Sequence, residues 1–173
     1  MKKDLHHTSG YEVNPLTLAV LSKKDEYGKT TSHVLENDTE YVISRTPTKI
    51  IDLSCSYFGA SLKGRQEGTK NICGITHKAP ISIDPSSGMY FFPTASPTNM
   101  LCSWIAHSHI EQIKSAPNQT TEIIFKNGRK ISLDVSQGSI MNQVQRTAHF
   151  RYLLDKRLQT LPQVFVQQPE LLT

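Results

Sequence analysis

Apolar residues in this chain come in short runs between polar clusters, and their spacing changes character along the length. Residues 11–21 are apolar-rich with a break at Asn14-Pro15, and Val34-Leu35 and Tyr41-Val42-Ile43 are short β-rich runs. Asp25-Glu26-Tyr27-Gly28-Lys29 and Glu36-Asn37-Asp38 are the polar turns between them, so residues 1–44 predict an antiparallel meander. At Thr46-Pro47-Thr48 the period lengthens. A Thr can cap a helix and a Pro suits its first turn. Ile50, Ile51, Leu53, Ser54, Tyr57 and Phe58 then give a helical stripe ending near Gly59. Residues 60–69 form a glycine-punctuated basic segment that admits a second short helix. Residues 79–100 are rich in Pro, Ser and Thr and enclose one strand, Met89-Tyr90-Phe91-Phe92. A further strand is predicted over 102–113. Strands over 121–125 and 130–135 flank Asn127-Gly128, a strong hairpin signal. The last predicted element is a long helix over 139–161, ended by Pro162. Ile140, Met141, Val144, Ala148 and Tyr152 share its apolar face, and Arg146, His149, Leu153, Lys156 and Arg157 lie on another side. The expected fold class is α+β: an antiparallel strand-rich body, a central helical basic segment and a long C-terminal helix. One domain is expected over 1–161, with a short tail at 162–173.

Size and composition narrow the class. A chain of 173 residues has the length of one domain, and nine Gly with nine Pro exclude collagen-like and wholly disordered chains. No apolar run approaches the roughly 20 residues of a membrane span. Met1-Lys2-Lys3 is followed by no apolar core of a secretory signal, so the expected compartment is the cytoplasm. Cys55, Cys73 and Cys102 are odd in number and lie far apart without a CxxC, which predicts buried free thiols.

Charge adds more through its distribution than through the formal net of +4. Residues 1–44 carry five basic against seven acidic groups, and residues 81–136 balance at four each. Residues 45–80 carry six basic against two acidic, and residues 137–173 four against two. If the two positive segments meet in the fold, they form a surface suited to a polyanion.

The motifs of catalysis are missing. No GxSxG, no HExxH and no paired carboxylates on one face occur, so no enzymatic activity is expected. Residues 59–65 have P-loop glycine spacing but lack the Lys-Ser/Thr pair and follow a helix. His107 and His109, two apart on the predicted strand, point to one face and could hold a metal with His77 or Cys102, yet no carboxylate or cysteine sits at the companion spacing. No metal and no cofactor is expected. Lys63, Arg65, Lys70 and Lys78 fall close together among Gly64, Gly68 and Gly74, as flexible cationic loops able to approach phosphodiesters or enter a minor groove. Each cation also has a structural alternative: Arg146 within an intrahelical pair, Arg65 on Glu67, Arg151 on a carboxylate. Tyr57, Phe58 and Trp104 are expected in the core.

Several longer runs carry a resemblance. Residues 54–69 (Ser54-Cys55-Ser56-Tyr57-Phe58-Gly59 onward), residues 75–85 and Phe91-Phe92-Pro93-Thr94 resemble the competence transcription factor ComK family of Bacillus-type bacteria. So do residues 102–109, the hairpin at 125–130 and residues 142–148, all in the family's order from about Tyr11 to Arg151. The resemblance implies a DNA-binding transcriptional activator of DNA-uptake genes that reads paired A/T-rich boxes, mainly through the minor groove. It implies double-stranded DNA as partner, a homodimer that pairs into a dimer of dimers on DNA, and a proteolytic adaptor protein. With the charge pattern, it directs attention to Lys63, Arg65, Lys70, His77, Lys78, Arg146 and Arg151 as DNA-binding residues. Phe165-Val166-Gln167-Gln168-Pro169 loosely resembles the tail segment associated with the adaptor. Leu53 and Ser56 stand where the family is more basic, which fits the alternative of a ComK-like protein-interaction modulator deficient in DNA binding.

Overall fold

Consecutive residues in Ala19-Val20-Leu21 and in Phe91-Phe92 face opposite sides of one sheet, and both sides are covered. The computed structural model describes residues 5–8 and 10–161. Within them, seven strands form a sheet in the order β1 (Leu5–Thr8), β4 (Glu40–Ile43), β3 (Thr30–Leu35), β2 (Ala19–Lys24), β7 (Trp104–Ala106), β6 (Met89–Pro93) and β5 (Ile81–Asp84). Neighbours are antiparallel except β1, which runs parallel to β4. A second antiparallel sheet is ordered β10 (Lys130–Leu133), β9 (Thr120–Phe125), β8 (Ile110–Ala116). The α-helices are α1 (Pro47–Tyr57), α2 (Leu62–Cys73) and α3 (Gln137–Gln159). This is the expected α+β class.

Side chains alternate across a strand, so the large sheet carries two cores. Val20, Val34, Phe91 and Trp104 pack on one face with Ile50, Ile51 and Cys55 of α1 and Leu62 of α2. Ala19, Leu21, Leu35, Phe92 and Ile105 pack on the other with Ile123 and Phe125 of β9, Leu133 of β10 and Ile140 of α3. The sheet is a middle layer, which is why β6 and the first half of β2, Ala19–Leu21, read as unbroken apolar runs. A large apolar side chain contributes roughly 1.5–3 kcal/mol when fully buried. A one-residue slip would exchange the two sets, so the cores hold the register. Trp104 is fully buried as expected, and its indole N–H donates to Thr48 Oγ1 at 3.1 Å.

Local signals set several element ends. Thr46 Oγ1 accepts the Lys49 N–H at the start of α1, and Ser136 Oγ accepts the Ser139 N–H at the start of α3. The Asn127-Gly128 hairpin forms as expected, with Gly128 at φ 88°. The meander β2–β3–β4 is present. The stop at Pro162 and the tail lie outside the described residues. No helix among those described is long and apolar enough to cross a membrane. All three cysteines are free; Cys55 and Cys102 are buried, but Cys73 is half-buried.

Besides the half-buried Cys73, the structure corrects four expectations. Strands β1 and β5 were not anticipated, because β1 is polar and β5 sits among Pro and Ser. Residues 102–113 are not one strand: β7 ends at Ala106, a 3-10 turn spans His107–His109, and β8 then joins the other sheet. The two histidines therefore do not share a strand face. Tyr57 and Phe58 are exposed, at 68% and 38%, and pack edge-on against each other at 5.1 Å. Only Pro47, Ile50, Ile51, Ser54 and Cys55 of α1 turn inward. On α3 the buried face is Ile140, Gln143, Thr147 and Phe150, whereas Met141, Ala148 and Tyr152 are exposed. Gln143 and Thr147 can be buried because they are hydrogen-bonded: Gln143 Nε2 donates to Pro93 O at 2.8 Å and Thr147 Oγ1 to Gln143 O at 2.6 Å.

Candidate nucleic-acid interface

The basic middle of the chain is a regular helix, as expected of a central helical basic segment, and a loop follows it only from residue 75. Ser61 Oγ accepts the Gly64 N–H at 3.0 Å and starts α2. Gly74, at φ 76°, ends it by donating its N–H to Lys70 O at 2.8 Å. Helix cooperativity and the buried contacts of Leu62 and Thr69 outweigh the modest helix penalty of Gly64 and Gly68. Lys63 and Lys70 are two turns apart on one side of α2, and both are exposed.

Residues 75–80 leave α2 as a loop whose carbonyls are tied down. Thr69 Oγ1 donates to Pro80 O at 2.6 Å. Gln143 Nε2 donates to Lys78 O at 2.9 Å. Arg146 Nη2 donates to His77 O, and its Nη1 to Gln143 Oε1 and, at 3.4 Å, to Lys78 O. The side chains of Thr76, His77 and Lys78 stay exposed. Lys78 holds φ 47°, the left-handed region that costs a residue with a β-carbon roughly 1–2 kcal/mol.

Lys63 and Lys70 of α2 and His77 and Lys78 of the loop line one cleft of about 380 Å³. Glu67 is the one carboxylate on its wall. Four of the sequence-predicted residues are thus brought together. Arg146 stands behind the loop. Arg65 lies toward β5, where its Nη2 donates to Ile83 O at 3.3 Å. Nearby, hydrogen bonds from Ser87 and Ser86 and the Arg65 charge hold the Asp84 carboxyl below its ordinary value. Arg151 is on the other flank of α3, its guanidinium 5.0 Å from the centre of the Tyr90 ring. It lines a separate cleft of about 580 Å³ with His107 and Lys126. No group of three His, Cys, Asp or Glu able to hold a metal occurs among the described residues.

Two participants escaped the sequence reading. Arg157 Nη1 donates to Asn71 Oδ1 at 3.1 Å, so the two positive segments of the chain do meet, along α2 and α3. Gln143 anchors both β6 and the loop. The signal for it was a polar residue at helical spacing between Ile140 and Phe150.

Comparison with known proteins agrees with the ordered runs. A family model described as "ComK protein" matches residues 8–159. The chain belongs to the ComK family. A protein named competence transcription factor, from Bacillus subtilis (strain 168), is 40% identical over 148 residues, covering 86% of this chain and 77% of that relative. No solved structure matches. In this ComK-family chain, the whole cleft from Lys63 to Pro97 falls inside the matched span.

Proposed function

We propose that this ComK-family transcription factor binds duplex DNA at paired A/T-rich boxes, mainly through the minor groove, and activates DNA-uptake genes. The observation that carries the reading is the cleft in which Lys63, Lys70, His77 and Lys78 converge around a single carboxylate. Lysines there would displace counterions from phosphates, and a narrow A/T groove concentrates the negative potential that attracts them. Arg65, Arg146 and Arg151 would contribute field more than contact, because each guanidinium already faces a carbonyl or a ring. A homodimer, pairing again on DNA, is the expected assembly, with a proteolytic adaptor as a further partner and the cytoplasm as the compartment.

Fluorescence anisotropy tests this with two duplexes of equal length, one bearing two A/T-rich boxes and one G·C-rich, across a salt series. The expected result is preference for the A/T duplex and a log-log salt slope of about −2 per protomer, from the phosphate contacts of Lys63 and Lys70. A folded protein that binds neither duplex at low salt overturns the reading. One observation favours a second reading. Leu53, Tyr57 and Phe58 form an exposed apolar group on α1, suited to a protein partner. A protein that binds no DNA yet forms mixed dimers with a DNA-binding relative would be an interaction modulator.

A further inference from the structure

We propose that residues 75–80 are the element that enters the DNA groove, and that Gln143 and Arg146 of α3 are positioning residues that set this loop from behind without touching DNA. This rests on the DNA-binding reading above. It goes further by dividing the cleft into a part that holds phosphates and a part that reads the groove.

Size makes the division. An α-helix with its side chains is about 10–12 Å across, whereas a minor groove is about 6 Å wide. Helix α2 cannot enter, so Lys63 and Lys70 are left to the phosphates along its rim. The loop is a single backbone strand with an exposed tip at His77 and Lys78. Their side chains can donate to the adenine N3 and thymine O2 acceptors that line that groove.

The loop is also built to keep one shape. The carbonyls of His77 and Lys78 are held by Arg146 and Gln143, and that of Pro80 by Thr69. Lys78 sits in a left-handed conformation that a free loop would leave. Strain of this kind persists only where the surroundings over-determine it. The Arg146 fork reaches two consecutive carbonyls and Gln143 at once, and so faces into the protein. A lysine, a single point charge, cannot reproduce that bridge.

The test is the anisotropy assay above, read as two quantities: salt slope and A/T-over-G·C preference. Arg146→Lys is expected to lose about tenfold in preference, the scale of one base contact, with the salt slope kept. Lys63→Ala is expected to do the reverse, lowering the slope by about 0.9 with the preference intact. Arg146→Lys indistinguishable from the parent protein would overturn the proposal, as would Arg146→Ala lowering the slope by about 0.9 with preference unchanged. His77→Ala, on the exposed tip, cannot disturb the core if Arg146→Lys does. It should lose preference, and an unchanged preference would also overturn the idea. Carbonyl carbon-13 chemical shifts in the free protein separate this from the parent reading. Changed shifts at the His77 and Lys78 carbonyls in Arg146→Lys are expected whether or not DNA binds, and unchanged shifts there would remove the positioning role.

Discussion

Ser54 shows how one hydroxyl can join distant parts of the chain. Its Oγ accepts the Val13 N–H at 3.0 Å and donates to Ile50 O at 2.8 Å, in a fully buried position. Ser54→Ala would leave the Val13 N–H unpaired, so stability should drop by about 1–3 kcal/mol, read from the denaturant midpoint. His107 gives a pH-dependent prediction. Burial, then the Arg151 and Lys126 charges, hold its pKa below the ordinary histidine value. The unfolded chain takes up a proton there near pH 6.5 that the folded chain refuses, so this contribution is complete above that pH and is lost as pH falls below it. Urea unfolding of the parent protein and of His107→Gln at pH 7.5 and 5.5 should show the larger acid loss in the parent. At this scale the sequence was partly legible. Ser54 and Trp104 stood out as inward residues, and both are buried. Tyr57 and Phe58 did not behave as core residues, because α1 has one covered face and their positions turn out of it.

Elements were legible wherever their ends are marked by local chemistry. Thr46-Pro47, Asn127-Gly128 and the 3.6-residue period of α3 each act through neighbours in the chain, and each element formed. The strand expected over 102–113 failed because its break carries no Gly or Pro. The 3-10 turn at His107–His109 is held by distant groups: His109 Nε2 lies 2.7 Å from Pro15 O, and its carbonyl accepts the Lys126 N–H at 2.9 Å. Helix α2 formed as the expected central helical basic segment, despite two glycines. That gives a prediction. A Cβ at Gly68 would meet nothing within 4 Å, so Gly68→Ala should stabilise the protein by roughly 0.5–1 kcal/mol. At Gly64 the same Cβ would lie 3.1 Å from Ser61 Oγ, the capping group, and the gain should shrink or vanish. Thermal melts of the two variants decide it.

For the whole molecule, the question is how separate positive segments become one surface. Arg157 meets Asn71, and Arg146 meets His77, so α3 brings the second segment against the first. Removing both helix lysines, Lys63→Ala with Lys70→Ala, should flatten the DNA salt slope by about 1.8 and leave the melting temperature unchanged, because both side chains are exposed. Anisotropy and calorimetry check the two halves. The charge distribution announced a basic surface, and the ordered family runs announced its partner. Neither could say which cations would face outward. The sequence by itself determined what depends on near neighbours: periodicity, caps, the hairpin, the α+β class and where positive charge is dense. Only the tertiary structure decided which face of α3 is buried, which lysines share a cleft, and that Arg146 faces a loop. Those outcomes depend on hydrogen bonds between residues 50 to 69 positions apart, such as Gln143 to Pro93 and Arg146 to His77, which form only once the layers pack.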